Sequence, residues 1–228
     1  MINDIKLGFK LFPYTLNFKG LRFSLILFVI IGVGFELAGF VTYQPTLATL
    51  GAYYIVLASL YFVQGINQME YNYLFLSSGK RKRIITRSET LVSLVCQTVA
   101  LTIFAILRTL VIKFQTDPNV AQSFKLGFFA IACAVFIQSF YLSVYYRYPV
   151  LGYLLILIMI VPMEIIIIFD KNPGMFDALM NLPYWAAVLT PYIALLLGSC
   201  INVILSSHLY KVPIKESLLK SSLSRATK

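Results

Sequence analysis

Leu25-Ile26-Leu27-Phe28-Val29-Ile30-Ile31 is an apolar run with no polar residue inside it. A transmembrane β-strand would alternate apolar with polar over about ten residues, because one face meets lipid and the other the lumen. Unbroken apolarity suits a helix instead, since a helix closes its backbone hydrogen bonds within the segment and can show hydrocarbon on every side. Runs of this kind recur at approximately 22–43, 47–67, 88–112, 125–146, 150–169 and 184–207. Each matches the roughly 20 helical residues needed to cross a hydrocarbon core of ~30 Å. With 59% hydrophobic and 12% charged residues in a chain of 228, little remains for a soluble domain. The expectation is an all-α integral membrane protein with six transmembrane helices. The first apolar run is too long for a signal-peptide core and lacks a small-x-small cleavage site, so it is expected to be retained.

Between the second and third runs lies Lys80-Arg81-Lys82-Arg83, with Arg87 behind it. So basic a loop stays on the cytoplasmic side and orients its neighbours. Of the 19 Lys and Arg, only Lys113, Lys125 and Lys171 fall on the opposite side, and Arg108 lies within a span. Both termini are therefore expected in the cytoplasm. The formal charge of +10 is accounted for by this topology and by anionic lipid head groups, without nucleic acid.

Residues 1–20 read as an interfacial helix, with Ile5, Phe9, Phe12 and Leu16 on one face and Lys6 and Lys10 on another. Residues 21–208 form the six-helix domain and 209–228 a basic, Ser-rich cytoplasmic tail. The outer hairpin 170–183, with Pro173-Gly174 before Met175-Phe176, has the composition of a short re-entrant helix ahead of the last span.

The 70–88 segment has two halves. Glu70, Tyr71, Tyr73 and Phe75 belong to an aromatic and apolar half, followed by Gly79 and the cations. A short helix lying along the membrane would put the first half into a groove of a soluble partner and the Lys and Arg against an acidic rim. The plainer reading is a loop that only sets topology. Its aromatic half favours the partner.

Glu36, Arg108 and Glu164 are ionisable groups inside the first, third and fifth spans, each roughly 7–11 Å below the outer surface when counted at ~1.5 Å per residue. A lone charge at mid-span costs about 2.5–3.5 kcal/mol on insertion scales, so opposite charges at one depth are expected to pair or to face water. Gly32, Glu36 and Gly39 share one helical face, which turns Glu36 toward a closely packed helix. Gln97 lies eleven residues before Arg108 and nearly eclipses it, making one polar stripe. Three roles stand open for Glu36, Arg108, Glu164 and Gln97: an outer gate or polar lining of a pathway, a structural ion pair between helices, or a proton relay, the last disfavoured because no histidine lies among them.

Enzymatic readings find little support. His208 is the sole histidine, so a histidine-ligated metal cluster is excluded, and no metal site is expected. Cys96, Cys133 and Cys200 sit far apart in apolar runs and read as small buried hydrophobes. Ser78-Gly79-Lys80-Arg81 lacks the first Gly of a phosphate loop and has no Ser or Thr after the Lys. No catalytic residue and no cofactor is expected on this chain. The tyrosines of the second run, Tyr53, Tyr54 and Tyr61, and of the fourth, Tyr141, Tyr145 and Tyr146, suit either an interfacial belt or the lining of a path for greasy cargo.

The order of these parts resembles the permease subunit of a bacterial ABC exporter of the ABC-2 class (type V): an interfacial helix, six spans, and Leu76-Ser77-Ser78-Gly79-Lys80-Arg81-Lys82-Arg83-Ile84-Ile85-Thr86-Arg87 leading into the third span. Many such permeases carry a Leu-Pro-x-Ser-Arg string at that place, and the Pro is missing here. Asn181-Leu182-Pro183-Tyr184-Trp185 and Thr190-Pro191-Tyr192 are similar to the family's outer re-entrant segment. The resemblance implies a second permease chain and an ATP-binding cassette subunit as partners, with ATP and magnesium held on that subunit. It makes 70–88 the main coupling helix and 145–149, with Arg147, a second cytoplasmic contact. It implies a place in the bacterial plasma membrane, and the small size and composition are similar to those of exporters of amphipathic peptides such as the phenol-soluble modulins. Three other readings are a substrate-capture subunit of an energy-coupled vitamin importer, a secondary transporter or channel, and a structural or assembly factor in the membrane. Single cysteines placed at 80–87 are expected to resist a membrane-impermeant thiol reagent in intact cells and to react after permeabilisation; labelling from outside would reverse the topology.

Overall fold

A computed structural model describes residues 2–14, 18–42, 44–68, 78–114, 118–171 and 181–212. Only the backbone is described at Phe18, Pro45, Phe62, 118–120, Ser123 and 162–171. Among the described residues there is no strand. Helix α1 is Ile2–Leu11, followed by a 3-10 turn Phe12–Tyr14; α2 is Phe18–Val41 and α3 Pro45–Gln68. Helix α4 runs Arg81–Phe114, α5 Pro118–Tyr145, α6 Pro149–Lys171 and α7 Tyr184–Leu209. Five of these are long and apolar enough to cross a membrane, namely α2, α3, α4, α5 and α7, and α6 contributes the apolar stretch Pro149–Val161. Helices α2, α6 and α7 turn Phe23, Ile30, Leu157, Ile160, Ile193 and Ile204 outward. A surface this apolar belongs in lipid, and the chain is an all-helical membrane protein.

Helix α3 lies centrally, packed against α2 on one side and against α4 and α5 on the other, and α5 in turn carries α6 and α7. The α2/α3 hairpin is drawn together by small residues. A Cβ on Gly39 would land on the backbone of Ala48, one on Gly32 would lie 2.8 Å from the Gly51 carbonyl, and one on Gly51 would lie 2.5 Å from the Glu36 amide. With no hydrophobic drive between helices in lipid, such close backbone approach is what dispersion can exploit. The turn is equally tight, Gln44 N–H bonding the Gly39 carbonyl at 3.0 Å.

Prolines punctuate the bundle without leaving it unsatisfied. Pro191 removes the amide that would have reached the Ala187 carbonyl one turn back. The Thr190 hydroxyl donates to that carbonyl instead, at 2.7 Å. Between α5 and α6, Tyr148 N–H closes onto Val144 O at 2.7 Å before Pro149 starts the next helix.

The foot of α4 is not uniform. Arg81–Arg83 is α-helical, Ile84–Ser88 forms a π-helical turn, and a regular α-helix follows from Glu89. The apolar count therefore misses the first turns of this helix, which are basic and lie outside the hydropathic run. Gly39→Leu is expected to destabilise the α2/α3 hairpin by at least ~1–3 kcal/mol through overpacking, read as a lower midpoint in SDS unfolding from detergent micelles. Gly34→Leu, on a face where an added Cβ meets nothing within 4 Å, is expected to leave the midpoint unchanged.

Candidate functional site

Helix α4 carries the polar stripe, and each polar residue on it joins different helices. Arg108 is fully buried. Its Nη2 donates to the Ala48 carbonyl of α3 at 3.1 Å and stands 3.6 Å from Glu36 Oε1 of α2. Its guanidinium carbon lies 5.3 Å and 5.2 Å from the ring centres of Phe124 and Phe128 on α5. Gly127 leaves the space for it: a Cβ there would come within 3.1 Å of Nη1. One side chain thus touches three neighbouring helices. Neither Glu36 oxygen, nor Arg108 Nε or Nη1, has a hydrogen-bond partner among the described residues. The pair is held by charge, by ring faces and by one carbonyl. The side chain of Glu164 lies outside the described residues.

Three turns below, Gln97 Nε2 donates to Ser59 Oγ at 3.2 Å, and Gln138 Nε2 to the same oxygen at 2.9 Å and to Val56 O at 2.7 Å. This joint ties α4 and α5 to α3. Nearer the basic end, Asn67 Nδ2 donates to Glu89 Oε1 at 3.0 Å, Asn202 Nδ2 to Thr90 Oγ1 at 2.8 Å, and Ser143 Oγ to Asn202 Oδ1 at 2.6 Å. The sequence reading singled out Arg108 and Gln97 but not Ser59, Asn67, Glu89, Gln138 or Asn202. The last four are also buried polar groups in apolar runs, a signal as strong as that of Gln97.

Helix α1 is docked on the foot of α4. Arg83 Nε donates to Asp4 Oδ1 at 2.6 Å, and Gly8 sits over Val92 and Ser88, where a Cβ would meet the Val92 side chain at 2.5 Å. The hydrogen bond from Arg83 holds the Asp4 carboxyl below the usual carboxylate range, against the opposing pull of burial. A lowered folded-state pKa means the pair stabilises the docked helix at neutral pH and loses that contribution as the pH falls below about 3.8. The apolar face assigned to α1 from sequence is divided: Phe12 is buried in protein, whereas Phe9 is exposed beside Lys6 and Lys10.

The cations of the foot also divide. Lys80 and Arg87 are exposed. Lys82 stands 5.2 Å over the Tyr210 ring at the end of α7, and Arg83 is engaged with Asp4. Glu70, Tyr71, Tyr73 and Phe75 lie outside the described residues, as do 172–180 of the outer hairpin and the tail from Pro213. Arg147 departs from its assignment as an exposed contact. Its side chain is buried, donating to the Leu209 carbonyl at the C-terminus of α7 and to Ser143 O at 3.4 Å. A cation there meets carbonyls that the helix end leaves without amides. What 145–149 shows outward is Tyr148.

On the same end of the bundle, a cleft of about 330 Å³ opens between α2 and α3 on one side and α5 and α6 on the other. Phe28, Tyr61, Gln64, Tyr141, Tyr145 and Tyr146 are among its lining. Phe28 and Tyr61 meet edge to face, ring centres 5.2 Å apart and planes at 70°. Tyr145 stacks on Tyr141 at 5.5 Å and meets Tyr146 at 68°. Tyr61 of the second apolar run and Tyr141, Tyr145 and Tyr146 of the fourth thus share one concave surface, from which Tyr53 and Tyr54 are absent.

No family model, no curated protein and no solved structure matches this chain.

Removing one partner of a buried ion pair strands the other, at a cost of about 3–5 kcal/mol, whereas apolar replacement of both is often neutral. Glu36→Leu is therefore expected to lower stability by that order and Glu36→Leu with Arg108→Leu to recover most of it. A double-mutant cycle on SDS unfolding midpoints measures the coupling. A double variant as unstable as the single one would mean that Arg108 is needed for its ring and carbonyl contacts and not for its charge.

Proposed function

We propose that this chain is the membrane-spanning permease subunit of an ABC exporter of the ABC-2 class. In this reading it has six spans and cytoplasmic termini, resides in the bacterial plasma membrane and pairs with a second permease chain. ATP hydrolysed on a separate cassette subunit drives an amphipathic or hydrophobic cargo outward.

The observation that carries the proposal is the length of α4. Its 34 residues extend ~50 Å at ~1.5 Å each, against a hydrocarbon core of ~30 Å, so its basic foot would extend past that core to the aqueous interface. A partner gripping that foot holds the end of a lever. The other end of the lever is joined through Gln97 and Arg108 to α2, α3 and α5, the helices that border the aromatic cleft. Tilting α4 would then alter the cleft, which is what alternating access requires. The π turn at Ile84–Ser88 marks where the lever has a joint, since such turns interrupt the regular ladder and recur at functional sites.

Arg83 is committed to Asp4, so its reversal would unseat α1 as well as any partner contact. Lys80→Glu with Arg87→Glu changes exposed cations instead. The expected outcome is normal insertion and expression, with co-purification of the cassette subunit in mild detergent lost and cargo-stimulated ATP hydrolysis reduced at least tenfold. A chain that co-purifies with no nucleotide-hydrolysing protein, or a double variant with full stimulated hydrolysis, would refute the proposal.

A further inference from the structure

Helix α1 has two faces, and only one of them is taken up by protein. Asp4 and Gly8 are buried, whereas Ile2, Lys6, Phe9 and Lys10 are exposed. Lys6 and Lys10 each stand two residues from Gly8, about 200° around the helix and ~3 Å along it, so they leave α1 almost opposite its seat on α4. Their depth follows from that seat. Asp4 meets Arg83 in the basic foot, and Gly8 faces Ser88 and Val92, where the apolar run of α4 begins. The helix thus lies at the level where hydrocarbon gives way to head groups, and a lysine there can keep its methylenes in apolar surroundings while its ammonium reaches phosphate. The surrounding charge is of one sign. Among the described residues every acidic side chain, Asp4, Glu36 and Glu89, is buried, while Lys19 and Arg22 at the start of α2 are exposed.

We propose that the outward face of α1 is a docking surface for anionic phospholipid, with Lys6 and Lys10 taking the phosphate-bearing head groups and Ile2 and Phe9 entering the acyl boundary beside them. Cations interleaved with apolar side chains on one helical face are what such a surface recognises. A zwitterionic lipid offers the same acyl boundary, but its own ammonium opposes the two lysines. An acidic protein would have to reach them within the head-group layer, where lipid phosphate already stands.

The test uses the full chain carrying Phe9→Trp with Trp185→Phe, which removes the one native tryptophan. It is placed in nanodiscs of phosphatidylcholine with a minor share of phosphatidylglycerol, and one lipid or the other is brominated in its acyl chains. Fluorescence quenching then reports which lipid stands beside position 9. Phosphatidylglycerol is expected there at about fivefold or more over its bulk share, since each lysine near an anionic surface contributes about that factor. Raising salt from about 0.1 M to about 1 M shortens the screening length from ~10 Å to ~3 Å and should lower the enrichment. Lys6→Gln with Lys10→Gln should bring it to about one, while Lys6→Arg with Lys10→Arg should keep it. Leu157→Trp with Trp185→Phe, on the exposed apolar face of α6, should show no enrichment. Enrichment of about one at position 9, its persistence in the Gln pair, or equal enrichment at position 157 would overturn the proposal. Absence of quenching by either lipid at position 9 would mean that protein covers this face, and would overturn it as well.

Discussion

Everything in this bundle depends on satisfying the polar face of α4 where there is no water to do it. Arg108 has no exposed surface, and its charge is answered by Glu36, the Ala48 carbonyl and two phenylalanine rings. Gln97, Glu89 and Thr90 are answered in the same way by Ser59, Asn67 and Asn202. In lipid, apolar faces gain little by meeting each other, so these polar joints and the close glycine contacts decide which helices are neighbours. A leucine meets lipid or another apolar side chain at nearly equal cost, and contributes little to that choice.

The two ends of the bundle are built differently. The end bearing the basic foot is braced from several sides: Asp4 of α1 on Arg83, Tyr210 beneath Lys82, Arg147 on the last carbonyls of α7, and the Asn202 joint between α4, α5 and α7. The aromatic cleft opens at this braced end. Three of the four helices that wall the cleft, α2, α3 and α5, are joined to α4 through Arg108, Gln97 and Gln138.

Much of this was legible in the chain. Unbroken apolar runs placed the helices to within a few residues. They erred chiefly at the starts of α4 and α5, each of which begins seven residues before its apolar run, since hydropathy reports where lipid lies and not where the helix ends. Glu36 and Arg108 were legible as neighbours because each is a charge inside an apolar run and counting along the helix gives both the same depth. Gly32 and Gly39 foretold a close partner but could not name α3 as that partner. The docking of α1 was not legible: Asp4 is one acidic residue among surface-like polar ones, and nothing in its spacing points to Arg83, 79 residues away. Arg147 misled for a related reason, since a cation just past an apolar run looks solvated until a neighbouring helix is known to end beside it. Neutral amides such as Gln138 and Asn202 carry no charge to flag, although burying one unmet still costs roughly 2–7 kcal/mol.

The repair at Pro191 gives α7 an unequal stiffness along its length. A backbone amide is fixed in the peptide plane, but the Thr190 hydroxyl that takes its place on the Ala187 carbonyl can swivel about its own bond and follow that oxygen as the helix bends. A bend at Pro191 therefore keeps the Ala187 carbonyl satisfied, although Tyr184 and Tyr192 still tie this stretch of α7 to Thr109 and Thr102 of α4. The start of α7 is thus a helix turn whose one freed carbonyl is met by a rotating hydroxyl and not by a fixed amide.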